Sequence, residues 1–168
     1  AQVVGAWNRT GRAYPAVAVP ALIAAQAART PEAVAVRAGR TTVTYAALLA
    51  QAAQLAQALQ ARKIGPECLV AVALDRSVEL VVALLGTGYA GAAFVPLDPT
   101  YPTERLRYML QDSQAALLLT AAAQATRLAH DGPTLCLDRD RAILDGSPST
   151  PPVPATTETH PAYVPYTS

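Results

Sequence analysis

The chain has 168 residues, 52% of them hydrophobic, and a formal net charge of +1. This is enough apolar sequence for the core of one domain or a large piece of one. The basic residues are scattered, which excludes the positive stripe that nucleic-acid binding requires. Cys68 and Cys136 lack any C-x-x-C or histidine context, so we predict two buried, reduced thiols and a cytoplasmic protein. No basic-then-apolar signal peptide opens the sequence.

Helices and strands alternate along the chain. Apolar residues at helical spacing predict helices at 19–29, 45–63, 78–89, 102–111 and 121–130. Short apolar or β-branched runs predict strands at 33–36, 41–44, 69–74, 92–95, 115–119, 134–137 and 162–166. The first two strands flank a glycine turn and indicate a hairpin. The others form a βαβ series, so we predict an α/β fold with a largely parallel sheet flanked by helices.

The uncharged run 80–97 is long enough to imitate a membrane span. Its central glycines and a late proline divide it into a buried helix and a buried strand, and we expect no membrane partner. The run also contains a literal G-x-G-x-x-G at 86–91. The dinucleotide fingerprint follows a strand and opens a helix, whereas here a helix leads in and a strand follows. We therefore interpret these residues as a helix-ending glycine cluster, which disfavours a free-standing nucleotide-binding module.

The most distinctive segment is AFVPLDPTYPTERL at 93–106. Pro96 has no N–H and should end a strand. Asp98 precedes a proline and is pushed away from helical geometry, while Pro102 suits the first position of a helix. Together with the residues from Gly88 onward, this segment (Gly88 to Pro99, Tyr101-Pro102 and Glu104-Arg105-Leu106) closely resembles the second core motif of the amino-acid-activating adenylation domains of nonribosomal peptide synthetases.

Four further segments resemble the same family in the same order. They are Trp7-Asn8-Arg9-Thr10 with Tyr14-Pro15, the opening helix and strand at 22–36, the first core motif VTYAAL at 43–48, and AYVPYTS at 162–168. The resemblance implies an interdomain linker at 1–16. It also implies that 17–168 is the N-terminal portion of an adenylate-forming core domain, with a proline-rich flexible loop at 146–161.

Two positions depart from the family pattern. Ala47 stands where the first motif usually carries a glutamate, in the first turn of the long predicted helix. Tyr89 stands where the second motif usually carries a lysine, near a helix C-terminus. Without the glutamate and the lysine, each helix end lacks a charge that would interact favourably with the helix dipole. We expect the structural cost of both departures to be modest.

The resemblance implies a function for the intact domain. Such domains activate an amino acid with ATP and Mg²⁺ and load it onto the phosphopantetheine of a carrier domain. A condensation domain would lie upstream, and the remainder of the adenylation domain and the carrier would lie downstream. Thr167 and Ser168 look like the start of the glycine-rich phosphate loop and are the candidate ATP-binding residues.

The rest of the machinery should lie beyond Ser168. We expect the sequence to continue with Gly, two Ser or Thr residues, Gly, any residue and Pro-Lys-Gly, and to supply the substrate pocket, the Mg²⁺ ligands and the catalytic lysine later. We therefore predict no catalytic residue within these 168 residues, no cofactor bound by them alone, and no activity of them alone. A truncated or degenerate domain that serves as a structural platform between synthetase domains is the alternative.

Other candidate chemistry is sparse. His130 and His160 have no second ligand nearby in sequence, so we predict no metal site. Asp98 and Glu104 could be an acid/base pair, but a turn carboxylate and a helix-face charge are commoner roles and are our interpretation. We expect Arg105 to pair with a neighbouring acid.

Overall fold

A computed structural model describes residues 2–11, 17–151 and 159–166. A π-helical turn, Gln2–Ala6, lies in the first of these ranges. The helices are α1 (Val19–Arg29), α2 (Tyr45–Ala61), α3 (Val78–Ala90), α4 (Thr103–Ser113), α5 (Ala122–Leu128) and α6 (Arg141–Asp145). The strands are β1 (Val34–Ala38), β2 (Thr41–Thr44), β3 (Leu69–Ala73), β4 (Ala93–Pro96), β5 (Leu117–Thr120) and β6 (Thr134–Cys136).

The strands form two sheets. β1 and β2 pair as an antiparallel hairpin, and Gly39 takes a left-handed conformation (φ +57°) in its turn. The other four strands form a parallel sheet in the order β4-β3-β5-β6. Helices connect these strands, as parallel neighbours require. The predicted α/β fold with a parallel sheet flanked by helices is confirmed.

Both faces of the parallel sheet are buried. Along β3, Val70 and Val72 face the core shared with α2 and α3. The alternate residues Ala71 and Ala73 face a second core, which includes Leu106 of α4. Successive side chains of a strand point to opposite faces, so a strand covered on both sides must be apolar throughout. This explains the uninterrupted apolar runs of the sequence.

The two edges of this sheet are covered differently. At the β6 edge, the Cys136 N–H donates to Asp140 Oδ2 over 2.8 Å, and the Cys136 carbonyl accepts from the Asp140 N–H over 2.8 Å. One residue thus occupies both backbone groups of Cys136, which discourages further strand pairing there. At the β4 edge, Phe94 pairs with the segment around Tyr163 in a single parallel bridge.

Glycines in α3 allow two other helices to approach it closely. A β-carbon on Gly86 would lie 2.7 Å from Leu55 Cδ2 of α2, and one on Gly88 would lie 2.8 Å from Pro20 Cγ of α1. The cluster ends at Gly91, the left-handed C-cap of α3 (φ +90°). The interpretation of the motif as a helix-ending cluster is confirmed.

Tyr89 also joins α3 to α1. Its side chain is 3% exposed, and its hydroxyl donates to the Pro20 carbonyl oxygen over 2.9 Å. Burial raises the pKa of this phenol above its ordinary value. The absence of the family's lysine at this helix end is therefore not the main feature of this position. Tyr89 instead contributes buried packing and a hydrogen bond between α3 and α1.

Several predicted boundaries differ from the observed ones. Pro102 is the N-cap of α4 rather than its first helical residue, and α2 ends at Ala61, before the left-handed Lys63. Helix α6 and the π-helical turn were not predicted, since each is only 5 residues long and shows no apolar period. The predicted strand at 162–166 is reduced to the one bridge at Tyr163.

The run 80–97 divides as predicted into a buried helix and a buried strand. Among the described residues, none of the helices combines the length and the apolar character needed to cross a membrane. Of the two thiols, Cys136 is buried as predicted, but Cys68 is only partly buried. The proline-rich loop at 146–161 lies partly outside the described residues, so its predicted flexibility stays a prediction.

We predict that Gly86→Ala destabilises the domain because the new β-carbon would collide with Leu55, a fully buried side chain. Overpacking of this kind costs about 1–3 kcal/mol, and the better helix propensity of alanine returns about 1 kcal/mol. We expect the free energy of unfolding of the intact domain to fall by about 1 kcal/mol in urea titrations.

Gly65→Ala is the matched control. Its β-carbon would lie 3.7 Å from the Ala90 carbonyl oxygen, an ordinary contact, so we expect no net loss of stability. Combining Leu55→Ala with Gly86→Ala should cost less stability than the sum of the two single changes. The shorter side chain at position 55 relieves the collision, and the new β-carbon fills part of the space that Leu55 leaves. Equal stability of the two glycine variants would contradict the proposed close contact.

Candidate functional site

The carboxyl ends of β3, β4, β5 and β6 lie at one edge of the sheet because the strands are parallel. In open α/β sheets, ligands bind outside this edge. The loops that follow the strands here are short and polar, and include Asp75, Arg76, Asp98, Thr100 and Asp138. This edge is therefore the candidate site, and each loop is held by specific hydrogen bonds.

Asp98 organises the loop after β4. Its Oδ1 accepts from the Thr100 N–H over 2.9 Å and from the Thr100 hydroxyl over 2.7 Å. These two hydrogen bonds, together with the more distant charge of Arg76, hold the pKa of the Asp98 carboxyl below its ordinary value. As predicted, Asp98 is a turn carboxylate, and it stays ionised at neutral pH.

Arg127 of α5 holds the same loop from the other side. Its Nη2 donates to the Pro99 carbonyl oxygen over 2.7 Å and to the Tyr101 carbonyl oxygen over 3.1 Å. Arg107 of α4 reaches in the opposite direction and donates through Nε to the Leu128 carbonyl over 2.9 Å. These reciprocal contacts fix the β4–α4 loop relative to α5.

Two further contacts order the ends of β5 and β6. The fully buried Thr120 hydroxyl donates to the Ala73 carbonyl oxygen over 2.8 Å. The carboxylate of Asp138 accepts from the Ala122 N–H, at 3.0 Å for Oδ1 and 3.2 Å for Oδ2. The second contact satisfies an amide in the first turn of α5 and places a negative charge where the helix dipole favours it.

The segment 159–166 packs against the β4 edge. The Phe94 N–H donates to the Ala162 carbonyl over 3.2 Å, and the Val164 N–H donates to the Phe94 carbonyl over 2.9 Å. The Phe94 and Tyr163 rings stack with their centroids 5.6 Å apart. These contacts connect the last described part of the chain directly to the sheet.

Tyr166 attaches the end of this segment to α4. Its hydroxyl donates to Asp112 Oδ2 over 2.6 Å and lies 3.3 Å from the Met109 carbonyl oxygen. The partly buried ring packs against the second core. Burial, and then the hydrogen bond to Asp112, raise the pKa of Tyr166 to about 12, so the phenol remains a hydrogen-bond donor at neutral pH.

The residues predicted to touch ATP, Thr167 and Ser168, lie outside the described residues, so their role stays a prediction. Glu104 pairs with Arg107 at 3.1 Å and is a helix-face charge, as interpreted. Arg105 pairs with no acid among the described residues, contrary to expectation: its guanidinium carbon lies 4.8 Å above the Tyr101 ring centre. A cation over an aromatic face is favourable at that distance.

The two histidines lie apart from the carboxyl edge of the sheet. His130 follows the C-cap of α5 and lines a surface groove of about 260 Å³ with Arg107 and Asp131. His160 Nε2 lies 3.6 Å from Glu67 Oε1. Within the described ranges, no group of three His, Cys, Asp or Glu side chains could hold a metal ion.

Sequence patterns did not identify Arg127, Asp138 or Tyr166 as organising residues. Asp138 carried a usable signal, because a carboxylate directly after an apolar parallel strand lies at the edge where helices begin. The sequence pattern places Tyr166 in a strand, and its partner Asp112 is 54 residues away. No local periodicity reports a contact of that kind.

Comparison with known proteins identifies a family match and several relatives. Residues 23–168 match the family model described as AMP-binding enzyme. The chain is 43% identical over 164 residues to a linear gramicidin synthase of Brevibacillus parabrevis, covering 96% of this chain and 3% of that protein. It is 40% identical over 168 residues to tyrocidine synthase 3 of the same organism, covering 99% and 3%.

Solved structures agree with these sequence matches. The nonribosomal peptide synthetase FmoA3 bound to α-methyl-L-serine-AMP superposes with a TM-score of 0.88 and 31% identity, over 95% of this chain and 18% of that one. The N-terminal subdomain of NpsA from Klebsiella oxytoca superposes with a TM-score of 0.79 and 25% identity, over 92% and 40%. The chain thus spans a small fraction of the synthetases it matches.

Thr100→Val tests the cause of the lowered Asp98 pKa. The variant loses the hydroxyl donor and keeps the backbone N–H. We expect the pKa of Asp98 to rise while staying below its ordinary value, as followed by carboxyl-carbon NMR during a pH titration of the intact domain. Thr103→Val is the control, because Thr103 donates no hydrogen bond to Asp98.

The sign of the pH dependence follows from the lowered pKa. The turn is stabilised by ionised Asp98 above the pKa of the unfolded chain, and this stabilisation is lost as the pH falls through the lower, folded-state value. An Asp98 titration that is identical in the wild type and in Thr100→Val would show that the hydroxyl contributes nothing.

Proposed function

Because this chain belongs to the AMP-binding enzymes, in the branch of nonribosomal peptide synthetase adenylation domains, we propose that its intact protein activates an amino acid with ATP. The observation that carries the proposal is the family match over 23–168. It is supported by the superposition on FmoA3 holding an aminoacyl-AMP, which covers 95% of this chain. That ligand is the product of the proposed first step.

The proposed reaction has two steps. A carboxylate oxygen of the amino acid attacks the α-phosphorus of ATP, which forms the aminoacyl-adenylate and releases pyrophosphate. The thiol of a carrier-domain phosphopantetheine then attacks the acyl carbon, which forms a thioester and releases AMP. Both steps require groups that stabilise developing negative charge.

The described residues serve this chemistry as a scaffold. They order the carboxyl edge of the sheet through Asp98, Arg127 and Asp138. We assign the Mg²⁺ ligands, the remaining phosphate contacts and the catalytic lysine to sequence after Ser168, as the resemblance to the family implies. Thr167 and Ser168 would open the phosphate loop.

We further propose that residues 1–16 are a linker between a condensation domain and the core portion 17–168, in a cytoplasmic protein with the carrier domain downstream. Two observations support the linker. The family match begins only at residue 23, and Trp7 is 66% exposed. The alternative, a structural platform without activity, gains no support from any contact of the described residues.

Amino-acid-dependent ATP–pyrophosphate exchange tests the proposed activity. We expect the intact protein to exchange pyrophosphate with at least one of a panel of amino acids, because it would contain the loop and the catalytic lysine. The 168 residues alone should remain at the blank level. Exchange by the short chain would contradict the assignment of the missing groups, and no exchange by the intact protein with any amino acid would favour the platform.

Trp7→Ala tests the linker. In the excised adenylation domain we expect a change in stability below about 0.5 kcal/mol, as for an exposed residue. A core tryptophan would cost about 3–5 kcal/mol. In the parent protein, limited proteolysis near residue 7 should become faster, because the ring would no longer pack at the domain junction. A large loss of stability in the excised domain would refute the linker assignment.

A further inference from the structure

The described end of the chain reaches the sheet through residues 162–164 and helix α4 through Tyr166. Two backbone hydrogen bonds and one ring stack attach the segment to Phe94 of β4. The side chains of Val164 and Pro165 are exposed. Tyr166 is then the last described residue, and its side chain is attached to α4 rather than to the sheet.

The Tyr166 hydroxyl makes a short hydrogen bond to a charged group. The acceptor, Asp112, is a carboxylate, and the 2.6 Å separation from the phenol oxygen is typical of a charge-assisted O–H···O bond. The ring is partly buried against the second core, whereas Asp112 is exposed. The packing and the hydrogen bond together fix both the position and the rotation of Tyr166.

We propose that the Tyr166–Asp112 hydrogen bond positions the phosphate-binding loop, and that Tyr166 is a positioning residue for the ATP reaction. This inference rests on the proposed function. Tyr166 is covalently followed by Thr167 and Ser168, the predicted first residues of that loop. A displacement of the Tyr166 backbone is therefore transmitted directly to the groups expected to contact the ATP phosphates, where small errors of geometry cost large factors in rate.

The acceptor also comes from a suitable element. Helix α4 is anchored in the second core by Leu106, Met109 and Leu110, all buried. Its first turn follows the loop that Asp98 and Arg127 hold at the carboxyl edge of the sheet. Asp112 lies in the last turn of α4, so the hydrogen bond joins the residue before the predicted phosphate loop to the far end of the helix that begins at the candidate site.

Tyr166→Phe in the full-length protein is the primary test. The variant keeps the ring packing and removes only the hydroxyl. We expect kcat/KM for ATP in pyrophosphate exchange to fall about tenfold, because a hydrogen bond to a charged group is lost, while KM for the amino acid stays unchanged. Asp112→Ala should give the same loss, and the double variant should lose no more than either single one.

Two variants control for general damage. Asp112→Asn keeps an acceptor oxygen but loses the charge, so its loss of activity should be smaller than that of Asp112→Ala. Tyr45→Phe alters a half-buried tyrosine at the start of α2 whose hydroxyl makes no hydrogen bond to any described residue, and it should leave the ATP kinetics unchanged. Thermal melting of all variants in the same buffer reports whether folding is intact.

The outcomes separate the two proposals. No exchange by the wild-type protein would overturn the proposed function, and the positioning role with it. Exchange by the wild type with unchanged ATP kinetics in Tyr166→Phe and Asp112→Ala would overturn only the positioning role. An equal rise in KM for ATP and for the amino acid, or a loss in Asp112→Asn as large as in Asp112→Ala, would also overturn it.

Discussion

The close contact between α2 and α3 is the constraint on which the rest of this structure depends. Leu55 of α2 lies against the Cα of Gly86, at a distance that leaves no room for a β-carbon. Helix α2 leads into β3, and α3 connects β3 to β4, so this contact sets how the two strands can pair. β4 in turn carries the Asp98 loop and the partner of Tyr163.

The same contact explains a misleading pattern in the sequence. The three glycines of the G-x-G-x-x-G serve three different purposes here. Gly86 admits Leu55, Gly88 admits Pro20, and Gly91 supplies the left-handed end of α3. None of these requires a phosphate. The order of the surrounding helix and strand distinguishes this pattern from the dinucleotide motif, which requires a strand before it and a helix after it.

Much of this fold was predictable because its elements are long or strongly patterned. The buried face of α2 followed from Leu48, Leu55 and Leu59, and the stop at Pro96 followed from its missing N–H. Short elements such as α6 carried too few residues to show a period. The candidate site was harder to predict, because its organising contacts join residues distant in sequence, such as Arg127 with Pro99 and Tyr166 with Asp112.

The edge strand β4 has a consequence for how the chain is made. The ribosome releases Phe94 long before Ala162 and Val164, its hydrogen-bonding partners. At about 5–20 residues per second, the interval is on the order of seconds. During it, the outward backbone groups of β4 are open to the equivalent strand of another nascent chain on the same messenger. With only 4 residues and a final proline that offers no N–H, β4 gives such a competitor little to bind.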